Sequence, residues 1–135
     1  MKLASLRHGR DGRLVVVSRD LKTMLPVDQL CPTLQMALDS WTIMAPKLQA
    51  LSDVLNKGEA TGAIAYDATK LHAPLPRAYQ WCDGSAYLNH VELVRKARGA
   101  VMPPEFLHDP LMYQGGSDDF LPPTADIEVA DEAYG

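Results

Sequence analysis

A chain of 135 residues is long enough for one ordinary domain, or for a small module followed by part of a larger one. The formal charge is -4, and the densest basic run, Arg95-Lys96-Ala97-Arg98, is short and lacks interleaved aromatic residues, which excludes a nucleic-acid-binding face. No apolar run approaches the roughly 20 residues that span a bilayer, and the N-terminus has no apolar signal-peptide core, so the sequence points to a cytoplasmic protein with no membrane partner.

Lys2 to Leu6 and Leu14 to Ser18 are strand-like, and Asp11-Gly12 between them is a turn signal, so a β-hairpin is predicted. Val15, Val16 and Val17 are β-branched on successive positions, which predicts a strand covered on both faces. His8, in the connecting loop, reads as a solvated turn residue. A third short strand is expected within Asp20 to Val27, ended by Pro26. Thr33 can cap a helix on which Leu34, Ala37, Leu38 and Trp41 form one apolar face. Pro46 should break or kink that helix, because it has no N–H and clashes with the preceding turn. A second helical segment carries Leu48, Leu51, Val54 and Leu55, with Gly58 able to cap its end. Met36, Trp41 and Met44 are expected in the core.

Gly62 to Tyr66 and Lys70 to Pro74 are further strand candidates. His72 reads as structural or exposed. Pro74 and Pro76 stiffen an extended connector and mark the best domain boundary. There is no internal repeat. Cys31 and Cys82 are far apart and lack metal-ligand spacing, so both read as free thiols. The carboxylate of Asp83 beside Cys82 disfavours a thiolate there.

Reactive side chains gather between Pro76 and Ser117. Asp83 can cap a helix running through Tyr87, Leu88, Val91, Leu93 and Val94 to Gly99. His90 lies seven positions on, close to two helical turns, which would put both side chains on one side roughly 10 Å apart. That spacing suits a metal-binding carboxylate and a general base acting on one substrate. It equally suits a capping Asp and a polar surface His. Met102 to Phe106 reads as a rigid turn. Tyr113 can donate a hydrogen bond to an oxyanion, and Gly115-Gly116 would let the backbone approach a ligand. Ile127 to Val129 is expected to begin a strand.

PRAYQWCDGSAYLNHVELVRKARGA, then DPLMYQGGSDDFLPP, then ADEAYG, resembles the fumarylacetoacetate hydrolase family in its longer bacterial form. The resemblance implies an α+β chain: residues 1–75 as the family's small N-terminal domain, and residues 76–135 as the incomplete start of its β-rich catalytic domain. It implies hydrolysis of a C–C bond in β-diketo acids such as fumarylacetoacetate, in tyrosine catabolism, with a divalent cation (Mg, Ca or Mn). By that resemblance Asp83 matches a metal carboxylate and His90 the general base. Tyr113 and Arg98 match substrate-contacting residues, with Arg95 as the second candidate for the arginine. The family's tyrosine two places after the aspartate is Ser85 here, and Tyr87 stands close by. The family's Glu-x-Glu pair and further aspartate are absent up to Gly135 and expected beyond it, since a lone carboxylate cannot hold an ion that wants six or more oxygens. The expectation is therefore the front part of an enzyme, inert alone, with Leu111, Met112 and Phe120 poorly covered. Family enzymes are commonly homodimers. A non-catalytic binding or dimerisation module is the alternative.

Overall fold

In the computed structural model, residues 1–84, 87–109 and 111–134 are described. The chain forms two compact units, Met1–Ala78 with Asp119–Gly135, and Tyr79–Asp118.

The first unit is organised by a four-stranded antiparallel sheet of β1 (Lys2–Leu6), β2 (Arg13–Val17), β3 (Thr23–Pro26) and β4 (Ile64–Ala65), in that order. The hairpin between β1 and β2 turns through Gly12, whose φ is +71°. A Cβ there would stand 2.8 Å from the Ser5 Cβ and 3.1 Å from the Leu6 carbonyl, so only glycine fits. The three valines of β2 are buried on both faces, as their β-branched run predicts. Leu14 and Val16 pack with Leu25, Leu34, Ala37, Leu48 and Leu55 on the helix side. Val15 and Val17 pack with Met24 and Leu71 on the other.

Two helices come next, α1 (Leu34–Asp39) and α2 (Trp41–Asn56). Thr33 caps α1, its hydroxyl accepting the Met36 N–H at 3.2 Å. The break comes at Ser40 rather than at Pro46, which lies inside α2. Pro46 is the sixth residue of α2, so its missing donor forfeits one bond, to the Thr42 carbonyl, while ten residues of helix continue beyond it. The interruption at Ser40 also takes Trp41 out of register with α1. Leu34 and Ala37 are buried, but Leu38 and Trp41 are exposed. Met36 points to solvent as well, and of the three residues expected in the core only Met44 packs against it. Gly58, with φ +77°, ends α2: its N–H reaches the Leu55 carbonyl at 3.0 Å, and the Glu59 N–H reaches Val54 at 3.2 Å.

Lys70 to Pro74 is not a strand. Asp67 caps a 3-10 turn over Ala68–Lys70, its carboxylate accepting the Thr69 N–H at 3.0 Å. A single bridge, Leu6 to Leu71, comes after it. The Arg7 N–H donates to Lys70 at 2.9 Å and the His72 N–H to Ser5 at 2.8 Å. Pro74 has no N–H to extend the ladder, and the Ser5 hydroxyl binds its carbonyl at 2.7 Å instead. The expected strand at Ile127 to Val129 is also absent. With no partner strand among the described residues, Ile127 is 81% exposed, and only a 3-10 turn at Glu132–Tyr134 lies beyond it.

The second unit holds β5 (Trp81–Gly84), α3 (Leu88–Ala97), a 3-10 turn at Pro104–Leu107 and β6 (Met112–Gly115). β5 and β6 form a two-stranded antiparallel ribbon. Val91 and Phe106 are its buried hydrophobic residues among those described. Leu111 and Met112 are exposed, as expected, whereas Phe120, in the first unit, is half-buried and not uncovered. The chain is thus mixed α+β. Among the described residues no helix is long and apolar enough to cross a membrane.

Candidate functional site

Asp83 is a strand residue and not a helix cap. Trp81–Gly84 finds a ladder partner in Met112–Gly115, which keeps Asp83 extended and delays the helix to Leu88. Ser85 lies outside the described residues. The register sets Asp83 opposite Tyr113 and Trp81 opposite Gly115. Alternation along the strands puts these four on one face of the ribbon. The Trp81 indole occupies the room left by Gly115, where a Cβ would collide with the ring. It meets the Tyr113 ring edge-on, centroids 5.8 Å apart and planes at 74°. Tyr113 thus stands across the ribbon from Asp83 with its ring against that of Trp81. All three are exposed.

His90 sits in the first turn of α3. It lines a cavity of about 280 Å³ with Arg95, Arg98, Val91, Val94 and Leu111 among its walls. His90, Val94 and Arg98 recur at i, i+4 and i+8, and Val91 and Arg95 run beside them, so one strip of the helix supplies an imidazole and two guanidiniums. The end of α3 fixes this strip. Gly99, φ +67°, lets its N–H reach Lys96 at 3.1 Å and the Ala100 N–H reach Arg95 at 2.9 Å. Arg95 Nη1 donates to the Val101 carbonyl at 3.1 Å, tying the side chain to the segment beyond the cap. Arg95 and Lys96 in the last turn also complement the helix dipole.

Two groupings therefore form: Asp83 with Tyr113 on the ribbon, and His90 with Arg95 and Arg98 around the cavity. Asp83 and His90 do not share a helical face. Tyr87 precedes α3, is 75% exposed and is not one of the cavity's lining residues. Sequence reasoning missed the Trp81–Gly115 pairing that orients Tyr113. Its signal was the alternation of Trp81 and Asp83 against Tyr113 and Gly115, which reads as two strands once they are paired.

Among the described residues no group of three or more His, Cys, Asp and Glu side chains is gathered to hold a metal ion. Asp83 offers one carboxylate, and a hard divalent cation wants six or more oxygens, so the donors present do not by themselves fit such an ion. The carboxylates held below the usual aspartate range all belong to the first unit and to structural turns. Asp11 is lowered by its hydrogen bond to Arg77, Asp20 by the Ser18 hydroxyl and the Lys22 N–H, and Asp67 by the Thr69 hydroxyl and N–H.

No curated protein matches the chain. The family model described as fumarylacetoacetase N-terminal domain 2 matches residues 1–77, the stretch that forms the four-stranded sheet with α1 and α2. That match covers more than half of the 135 residues, and the chain belongs to the fumarylacetoacetase N-terminal domain 2 family.

Proposed function

We propose that the chain is the N-terminal part of a metal-dependent hydrolase that cleaves a C–C bond in β-diketo acids such as fumarylacetoacetate, and that residues 76–135 carry part of its active site. The observation that supports this reading most is the cavity bounded by His90, Arg95 and Arg98, which comes directly after a fumarylacetoacetase N-terminal domain in the chain. An imidazole within reach of a bound substrate can take a proton from an attacking water. Two guanidiniums can pair with the substrate's carboxylate, and Arg is suited to that by its planar fork of donors. Tyr113 donates a hydrogen bond to a substrate oxygen; Tyr87, a substrate residue by the family resemblance alone, stands outside the cavity's walls.

Asp83 supplies one oxygen ligand for Mg, Ca or Mn, and the remaining ligands come from outside these 135 residues. The chain is inert alone for that reason. It acts in the cytoplasm, in tyrosine catabolism, within a homodimer. The exposure of Asp83, His90, Tyr113 and Arg98 also suits a second reading, a non-catalytic binding or dimerisation module.

Titration of the chain with a small β-diketo acid, followed by NMR, separates the two. The hydrolase reading expects shifts centred on His90, Arg95 and Arg98 that disappear in Arg98→Ala. Shifts scattered over the surface, or none at all, would leave the binding-module reading in its place.

A further inference from the structure

The first unit is made from two separate stretches, since the chain leaves it at Ala78 and returns at Asp119. The returning residues lie on the thinner side of the sheet. There Leu121 and Pro123 line a cavity of about 550 Å³ whose other walls include Ala4, Val17, Leu71 and Ala73. Leu121, with Phe120 and Pro122, also borders a cavity of about 480 Å³ beside Arg7 and His72. His72 and Leu121 are walls of both. The Phe120 N–H donates to the Pro76 carbonyl at 3.0 Å, and the residue is half-buried. Further along, Ile127 and Val129 are exposed, so the contact is confined to a few residues. Just before it, Asp118 and Asp119 have φ of 60° and 53°. Consecutive left-handed residues other than glycine are disfavoured, because Cβ crowds the following carbonyl.

We propose that residues 119–123 form a strap that closes the second face of the N-terminal sheet and opens about Asp118 and Asp119. Closure gains apolar cover for Leu71 and Ala73 and one backbone hydrogen bond. Opening relaxes two left-handed residues and joins the two cavities into one groove with His72 on its wall. An element held by so few contacts and sprung at its hinge has two accessible arrangements, closed and open. The family match ends at residue 77, so the strap lies outside the matched segment and adds a second stretch of chain to that domain.

Amide hydrogen exchange on the whole chain tests this. In the closed strap the Phe120 amide exchanges at least about tenfold more slowly than those of Ile127 and Val129, after correction for intrinsic rates. Leu121→Asp removes the apolar contact with the larger cavity, where Leu121 stands beside Ala4, Val17, Leu71 and Ala73, and should bring Phe120 to the Val129 rate, while the amides of Leu14 to Val17 stay protected. Asp118→Val, which lines neither cavity, raises the strain of the closed hinge and should also speed Phe120. A Phe120 amide as unprotected as Val129 in the unaltered chain would overturn the strap. So would slow exchange at Phe120 that neither substitution changes. Should Leu121→Asp unfold the sheet, the unaltered chain and Asp118→Val still decide.

Discussion

Asp11 and Arg77 meet across 66 positions as a two-pronged pair, Nε to Oδ1 at 2.7 Å and Nη2 to Oδ2 at 2.6 Å. The guanidinium holds the Asp11 carboxyl below its ordinary value of 3.8. A carboxylate with a lowered folded value contributes its stability in full above pH 3.8 and loses it as pH falls through the lowered value. Replacing Arg77 by Met should return the Asp11 titration to the ordinary range, read by NMR on the side-chain carboxyl. Asp20 and Asp67, lowered by their own hydroxyl and N–H donors, should not move. Nothing in the sequence announced Arg77 as a partner for the hairpin turn, because a pair this remote has no local periodicity. Asp83 was obscured for the same reason. Followed by Gly84 and a helical pattern it looks like a cap, and only the pairing with Tyr113, thirty residues on, makes it a strand residue. His90 and Arg98 share one strip of α3, two turns apart, but Arg98 was named through the family resemblance and their pairing was not read from the helical spacing.

At the level of elements, local signals served well where one feature decided the outcome. The Asp-Gly turn, the valine run of β2, the Thr33 cap and the Gly58 stop all act within a few residues, and each forms. Periodicity misled where two effects competed. Trp41 joins the apolar face of α1 only if one helix runs through Ser40, and it does not; Leu38 lies within α1 and is exposed all the same. Pro46 looked decisive, yet near the start of a long helix it costs a single hydrogen bond, and burial of Leu48 and Leu55 anchors the later turns of α2. Leu48 is fully buried among β2, β3 and α1 residues. Leu48→Ala should therefore destabilise the first unit by about 3 kcal/mol in a denaturant melt. Met36→Ser, on the exposed side of α1, should stay within about 0.5 kcal/mol of the unaltered chain. Comparable losses in both would mean that the helix faces have been assigned wrongly. The strands expected at Lys70 to Pro74 and Ile127 to Val129 failed because strand propensity needs a partner edge with free donors. Pro74 removes one, and Ile127 and Val129 find no edge.

For the whole molecule, the contrast is between a sheet with apolar cover on both faces and a ribbon of two strands. A two-stranded ribbon is marginally stable in water. Trp81, Met112 and Tyr113 are all exposed on it, and the family match stops before it begins. Amides of Trp81 to Gly84 and Met112 to Gly115 should exchange far faster than those of Leu14 to Val17. Equal protection in the two sets would mean that the ribbon is a finished structure. The residues of the proposed site lie in that same unit, and Asp83 is the one carboxylate among them. The most direct measurement is calorimetric titration of the 135-residue chain with magnesium or manganese. A site that needs further oxygens gives no tight binding, and Asp83→Ala leaves the trace unchanged. Stoichiometric micromolar binding that is lost in Asp83→Ala would contradict it, because the metal site would then be complete within this chain.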